Sequence, residues 1–242
     1  MYSEGWSFNM NSFYQIIKKC FDFICSIIGI LVSSPIWLVA IIGILISDPG
    51  PIFYTADRIG YNNKHFKMYK FRSMRICNTA NEKSFKADTD RIFPWGAFIR
   101  KTKIDELPQL INLFLGDMSI VGPRPAANDQ FDIVRAGKYN IASTVKPGLT
   151  GPAALYDYIY GDTIEDPDEY ERLVLPTRLE LEAYYPAKMS LWYDIKMIWY
   201  TIVCILASIT NRNPNKIYAE LVDAVKDNIL IETNKEKVYE IR

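Results

Sequence analysis

Two adjacent carboxylates, Asp105 and Glu106, stand between basic residues and an apolar segment. Arg100 precedes the pair, and Arg124 follows it in a Gly-Pro-Arg-Pro turn that two prolines stiffen. Carboxylates are preferred ligands of divalent cations such as Mg²⁺, and arginine side chains bind phosphate oxygens. This pattern favours a site in which the acids hold a metal ion and the arginines hold a phosphorylated substrate. Taken alone, the acid pair also fits a capped surface helix with a solvated charge cluster.

The composition of the chain argues against several other kinds of site. The chain has 28 basic and 28 acidic residues, so its charge predicts no nucleic-acid partner. With His65 as the only histidine, acid–base chemistry must rest on carboxylates. The four cysteines show no metal-ligand spacing, and no glycine-rich phosphate or dinucleotide loop is present.

A short helix is expected directly after the acids. Apolar residues recur at helical spacing, and Gly116 follows as a stop signal. These apolar positions are Leu107, Leu110, Ile111, Phe114 and Leu115. Pro108 fits only in the first turn. If Asp105 caps this helix, both acids face the positive end of its dipole, which keeps their pKa values low.

The run Phe21–Ile46 is apolar and long enough to cross a bilayer. Ser34 and Pro35 interrupt it, and basic residues flank it on both sides. Because positive flanks stay in the cytoplasm, we expect a re-entrant helix-break-helix, with the Ser33 and Ser34 hydroxyls meeting the freed carbonyl groups. A kinked single span and a buried pair of helices are the alternatives.

The other elements complete a mainly α fold with a small β-hairpin, a monotopic membrane protein with interfacial amphipathic helices. The hairpin is expected around Gly60–Asn63, with Lys70 and Arg72 near its end. A type II turn is expected at 145–151, and an acidic, mobile-looking stretch at 157–172. An aromatic-rich interfacial region is expected over 179–209. Three parts follow: a lead-in and re-entrant helix (1–47), a catalytic domain (48–209), and a C-terminal extension (210–242) with one helix.

The segment IDELPQLINLFLGDMSIVGPRP, Ile104–Pro125, resembles the signature of the monotopic bacterial phosphoglycosyl transferases, which are polyprenyl-phosphate sugar-1-phosphate transferases. The resemblance extends from about Lys18 to about Tyr200. Further blocks that match are Gly50–Tyr54, Arg58–Gly60, Lys70–Met74 and Lys146–Gly151. The family also has a Ser-Pro break that matches Ser34-Pro35.

This resemblance implies transfer of a sugar 1-phosphate from a UDP-sugar to polyprenyl phosphate, with release of UMP, at the cytoplasmic face of the inner membrane. It implies a covalent intermediate on Asp105, which also touches Mg²⁺, with Glu106 as a supporting acid. It also implies that Lys70 and Arg72 bind phosphate or a lipid head group. Arg100 and Arg124 are expected to bind phosphate oxygens as well. A metal-dependent hydrolase of nucleotide sugars or lipid diphosphates and a catalytically silent membrane scaffold are the alternatives. A homodimer is allowed by the sequence but not indicated by it.

Overall fold

A computed structural model describes residues 12–76, 89–210 and 212–226. Within them the fold is mainly helical, as expected. The strands form two small sheets, of which the sequence predicted only the hairpin. The helices are α1 (Ser12–Ser47), α2 (Pro94–Lys101), α3 (Gln109–Leu115), α4 (Phe131–Val134), α5 (Pro152–Ile159), α6 (Pro167–Leu173), α7 (Leu175–Lys188), α8 (Leu191–Ile209) and α9 (215–226). The strands are β1 (Phe53–Ile59), β2 (His65–Phe71), β3 (Ser119–Val121), β4 (Ala126–Ala127) and β5 (Gly148–Thr150).

The expected break at Ser34-Pro35 is not seen, because α1 continues through Pro35 as one helix of 36 residues. Proline has no N–H to donate to the carbonyl group of Leu31, four residues earlier. The Ser34 hydroxyl donates to that Leu31 oxygen at 2.8 Å instead. The Ser33 hydroxyl donates to the Gly29 carbonyl at 2.6 Å. The expected role is therefore confirmed for Ser34, in a helix that stays intact. The Gly29 carbonyl is four residues before Ser33, so it is not one that Pro35 leaves free.

Helix α1 packs against the rest of the protein along most of its length. Near its start, the Lys18 ammonium and the Tyr14 hydroxyl bind the Asp194 carboxylate of α8, at 2.6 and 2.7 Å. One turn later, Asp22 accepts a hydrogen bond from the Ile120 amide of β3 at 3.0 Å. Just past its end, Asp48 forms an ion pair with Arg72. Both ends of the helix are therefore fixed to one folded body.

Two glycines let α2 and α3 approach α1 closely. A methyl group on Gly43 would overlap the indole ring of Trp95, and one on Gly29 would meet the Leu110 methyl groups at 3.2 Å. Around Gly43, α1 shares a buried apolar core with the hairpin and α2. This core consists of Ala40, Ile44, Phe71, Phe93 and Ile99.

The expected hairpin is present, with β1 and β2 antiparallel and Ile59 opposite His65. Asn62 and Asn63 have positive φ angles in the turn, which asparagine tolerates better than most residues. Strand β4 joins the other edge of β1, so the order in this sheet is β2-β1-β4. Strands β3 and β5 form a separate parallel pair. The expected type II turn at 145–151 is wrong, because Gly148 begins β5 and does not have the positive φ that this turn requires.

The acidic stretch at 157–172 is more ordered than expected, because it includes α6 and the buried side chains of Asp157 and Tyr170. Asp166 caps α6 by accepting a hydrogen bond from the Glu169 amide at 2.8 Å. Helix α7 contributes to the main core, whereas α8 exposes a row of apolar side chains. Those exposed by α8 are Leu191, Trp192, Ile195, Trp199, Ile202 and Leu206.

The C-terminal extension also packs on the fold. Helix α9 buries Ile217, Leu221 and Val225 in the main core, and its Tyr218 ring stacks on Tyr156 at 5.8 Å. Residues beyond 226 lie outside the described part. Among the described residues, two helical stretches are long and apolar enough to cross a membrane, Phe13–Ser47 and Leu191–Ser208. The exposed apolar faces of α1 and α8 fit association with a membrane.

Candidate active site

The acid pair lies on a tight turn between α2 and α3. Lys103 adopts a left-handed conformation with φ of 58°, which reverses the chain after α2. A single 3₁₀ turn, Ile104–Glu106, then carries both acids, and Pro108 occupies the capping position of α3 without a side-chain cap. The expectation that Asp105 caps the helix is therefore wrong. The predicted stop at Gly116 is confirmed, with φ of 79°.

Asp105 is the buried member of the pair, with 4% of its surface exposed. Its Oδ1 atom is buried and has no hydrogen-bond partner. Burial raises the pKa of Asp105 to about 6, an effect that Glu106 increases and that the charge of Lys70 opposes. The expected low pKa is therefore wrong for Asp105. The carboxylate is still mostly ionised at neutral pH, but it lacks the partners that a structural buried acid has.

Glu106 behaves in the opposite way. Its Oε1 atom accepts a hydrogen bond from the Lys70 ammonium at 3.0 Å. Burial tends to raise the pKa of Glu106, but the positive charges of Lys70, Lys103 and Arg124 outweigh it and hold the pKa well below its usual range. Glu106 is therefore an anion at neutral pH, and its hydrogen bond holds Lys70 close to the acid pair.

Asn112 joins α3, the helix that follows the acids, to strand β2 of the hairpin. Its side chain is fully buried, accepts a hydrogen bond from the Tyr69 amide at 3.0 Å, and donates to the Lys67 carbonyl at 2.7 Å. One amide group thus binds the edge of β2 as a neighbouring strand would. Because Lys70 is the next residue of that strand, this contact positions Lys70 against Glu106.

Arg100 and Arg124 approach the acid pair from two other elements. Arg100 is in the last turn of α2, and its charge acts on Asp105. Its described hydrogen bond is a long one, 3.9 Å from Nη1 to the Met74 sulfur. Arg124 Nη1 binds Asp157 Oδ2 at 2.7 Å, yet 42% of the Arg124 side chain is exposed. Both guanidinium groups keep donors for an anionic ligand.

A closed ring of hydrogen bonds holds Arg124. It passes from the Arg124 side chain through four further side chains to Arg135, which donates to the Arg124 carbonyl oxygen at 2.8 Å. The four intermediate members, in order, are Asp157, Tyr170, Arg178 and Glu182. Every link of this ring other than Arg124 is buried. A buried network whose members are all bonded is rigid, so Arg124 has a fixed direction.

Arg72 lies elsewhere. Its three nitrogen atoms donate to the Asp48 carboxylate, the Asp48 carbonyl and the Pro51 carbonyl, and its side chain is buried over the Phe93 ring. These contacts join the end of α1 to the hairpin. We therefore correct our expectation for Arg72, whose donors hold the fold together instead of facing the acid pair.

The sequence reasoning missed the ring behind Arg124. Its members come from α4–α7 and the segments between them, and no local pattern connects them. The available signal was Asp166-Pro167, a common helix beginning, which could have predicted α6 and thus an ordered segment around Tyr170.

The acid pair fits Mg²⁺ by its chemistry. Among the described residues, no group of three or more His, Cys, Asp or Glu side chains could hold a metal ion. Mg²⁺, however, is commonly bound by one or two carboxylates together with substrate phosphates and water. Asp105, with its unpaired buried oxygen, would supply such a ligand.

The chain is similar in sequence to bacterial proteins named as sugar-phosphate transferases. The chain is 35% identical over 205 residues to the UDP-N-acetylgalactosamine-undecaprenyl-phosphate N-acetylgalactosaminephosphotransferase of Aeromonas hydrophila, covering 82% of this chain and 46% of that protein. It is 34% identical over 192 residues to the UDP-glucose:undecaprenyl-phosphate glucose-1-phosphate transferase of Escherichia coli K12, covering 78% of this chain and 40% of that protein. The chain thus spans less than half the length of these two relatives.

A third relative is of similar size. The exopolysaccharide production protein PSS of Rhizobium leguminosarum bv. phaseoli is 34% identical over 199 residues, which cover 78% of this chain and 94% of that protein. The family model described as bacterial sugar transferase matches residues 13–208. That match includes α1, the hairpin, the acid pair and α8, so the chain belongs to the bacterial sugar transferase family of enzymes.

Proposed function

We propose that this enzyme transfers a sugar 1-phosphate from a UDP-sugar to polyprenyl phosphate, with Asp105 as the nucleophile. The observation that carries the proposal is the buried, unpaired Asp105 carboxylate among cationic side chains. The relatives named for transfer from UDP-sugars to undecaprenyl phosphate support the substrate classes. The product would begin the assembly of a surface glycan.

The reaction proceeds in two displacements. In the first, an Asp105 oxygen forms a bond to the sugar-bearing phosphorus, and the bond from that phosphorus to the bridging oxygen breaks. UMP leaves with the electron pair, and the sugar phosphate stays on Asp105 as an acyl phosphate. In the second, an oxygen of polyprenyl phosphate attacks the same phosphorus and Asp105 departs as a carboxylate. No proton transfer is needed in either step, which suits a site without histidine.

The neighbouring side chains reduce the repulsion between the carboxylate and the phosphate groups. Lys70, held by Glu106 at 3.0 Å, contributes a fixed positive charge, and Arg100 and Arg124 contribute guanidinium groups with free donors. Mg²⁺, bound by Asp105 with support from Glu106, would neutralise the diphosphate charge. A pKa of about 6 leaves Asp105 ionised at pH 7 and more basic than an exposed aspartate.

We also propose that the protein is monotopic and rests on the cytoplasmic face of the membrane. Support comes from the contacts of α1 with the catalytic part, near its start through Lys18–Asp194 and just past its end through Asp48–Arg72. A helix of 36 residues is about 54 Å long. If it crossed the bilayer, one of these contacts would have to form on the far side. The basic flanks favour the cytoplasm for both ends.

Single cysteines at Asn11 and Asn62, in a protein whose native cysteines are replaced, test this topology. We expect a membrane-impermeant maleimide to label both positions in inverted membrane vesicles and neither in sealed right-side-out vesicles. Labelling of the two sites from opposite sides would contradict the proposal. Modification of both sites after detergent is added to right-side-out vesicles is the control for reactivity.

The transferase activity is tested by incubating the purified protein with a panel of UDP-sugars and measuring UMP release. We expect UMP to form continuously with at least one UDP-sugar when polyprenyl phosphate is present, and to stop at no more than one equivalent of enzyme when it is omitted. Continuous UMP release without polyprenyl phosphate would instead identify a hydrolase. No UMP with any UDP-sugar would overturn the proposal.

A further inference from the structure

A second cationic region adjoins the acid pair at Arg124, since the charges of Arg124 and Arg178 both act on Arg58. It is formed by Arg58 of β1, Arg124 of the Gly-Pro-Arg-Pro turn, and Arg178 of α7. Arg58 is placed there by the sheet, since it pairs with Ala127 of β4, three residues after Arg124. The three side chains come from different parts of the chain, and their positive charges act on one another.

Arg58 is the incompletely satisfied member. Its Nε atom is buried and has no hydrogen-bond partner. Burial lowers the pKa of the Arg58 guanidinium, and the positive charges of Arg124 and Arg178 lower it further. By contrast, Arg178 donates to Tyr170 at 2.9 Å and to Glu182 at 3.2 Å, and Arg124 donates to Asp157. A buried donor that lacks a partner costs free energy unless a ligand provides one.

Arg58 also faces the same side of the hairpin as the site residue Lys70. In the register of β1 and β2, Tyr54 lies opposite Lys70, and Arg58 lies opposite Phe66. Residues opposite each other, or two apart along a strand, share one face. The cations Lys70 and Arg58 therefore stand at the two ends of one face. The charge of Arg124 acts on Arg58 and also on Glu106, the partner of Lys70.

We infer that Arg58, with Arg124, binds the phosphate of the departing nucleotide. This inference rests on the proposed function. A diphosphate substrate has two phosphate groups, and Asp105 attacks only the one that carries the sugar. When the bridging bond breaks, the second phosphate gains a negative charge on the former bridging oxygen. Arg58 has an unpartnered donor and lies at the end of the hairpin face farther from Lys70, which binds Glu106, so it is placed to meet that charge.

Binding of UMP and uridine to the full-length protein in detergent, measured by calorimetry, tests the inference without requiring turnover. We expect the wild-type protein to bind UMP more tightly than uridine. Arg58→Gln should weaken UMP binding by about 10–100-fold, the loss of one or two charge-assisted hydrogen bonds, and leave uridine binding unchanged. Arg172→Gln removes an exposed arginine from α6 and should leave both affinities as in the wild type.

Equal UMP affinity in wild type and in a folded Arg58→Gln variant would overturn the inference. So would an equal loss of UMP and uridine binding, because that result indicates a structural role, or a wild-type protein that binds UMP no better than uridine. If Arg58→Gln does not fold, Arg58→Lys keeps the charge but not the guanidinium Nε, and it should weaken UMP binding selectively. Failure of the proposed function is distinguishable, because it appears as absence of wild-type turnover with intact UMP binding.

Discussion

Asp105→Asn should abolish covalent capture of a labelled sugar phosphate and reduce turnover by at least about 10³-fold, because an amide cannot act as the nucleophile. Incubation with a substrate labelled in the sugar-bearing phosphate, without lipid acceptor, leaves label on the wild-type protein in this mechanism. The measurement is the radioactivity retained on denatured protein. Asp168→Asn, an exposed aspartate on α6, is the matched control and should capture label as the wild type does. Label on Asp105→Asn would exclude Asp105 as the nucleophile.

The same substitution should make the protein more stable at neutral pH. The pKa of Asp105 rises from 3.8 in the unfolded reference to about 6 in the fold. Between these two values the unfolded chain has released a proton that the folded chain retains, so the free energy of unfolding falls as pH rises through that window. Above pH 6 the full cost is present, and asparagine removes it. We expect a gain of about 1–3 kcal/mol, seen as a melting temperature several degrees higher.

Glu106→Gln should have the opposite effect on stability, because the pKa of Glu106 is lowered in the fold and its ionised form is the favoured one. Ionised Asp105 therefore lowers the free energy of unfolding, whereas ionised Glu106 raises it. Label capture by the wild type should also decline as pH falls through about 6, where Asp105 becomes protonated. A capture profile that stays flat down to pH 4, or an unchanged melting temperature in Asp105→Asn, would contradict this assignment.

Ile44→Ala in α1 should destabilise the protein by about 2–5 kcal/mol, as expected for a large-to-small change in a packed core. Ile44 is 0% exposed and contacts the core that Phe71 and Phe93 complete. Ile42, two residues away on the same helix, is 48% exposed and provides the matched control. Ile42→Ala removes the same atoms from the outer face, so its melting temperature in detergent should change little.

The comparison between the two isoleucines separates two views of α1. If α1 only attaches the enzyme to the lipid, the two variants should melt at the same temperature. If α1 is part of the folded core, Ile44→Ala alone should melt earlier, by several degrees. Urea or thermal unfolding in one detergent, followed by tryptophan fluorescence, is sufficient for the measurement.

The features that could be predicted from the sequence are those that depend on residues close together in the chain. The hairpin around Gly60–Asn63, the helix stop at Gly116 and the bond from Ser34 to a freed carbonyl group follow from turn chemistry and from the missing N–H of Pro35. These are local rules, and tertiary packing did not change their outcome.

Features that depend on distant contacts were not predictable in this way. The raised pKa of Asp105 results from burial between α2 and α3, which cannot be read from its neighbours in the chain. The helix-dipole rule pointed to a low pKa because it assumed that Asp105 caps α3, whereas Pro108 does so. Likewise, the family resemblance implied phosphate binding for Arg72, and only its contacts with Asp48 and Pro51 reveal a structural role.

Helix α1 cannot be replaced by an arbitrary apolar helix. Gly29 and Gly43 are 14 residues apart, close to four helical turns, so they lie on one face of α1. That face receives Leu110 and Trp95, which belong to the two helices on either side of the acid pair. A helix grafted from another membrane protein would need small residues at both positions and an aspartate equivalent to Asp22. An apolar segment chosen only for its length and hydrophobicity would push α2 and α3 apart and open the turn that carries Asp105 and Glu106.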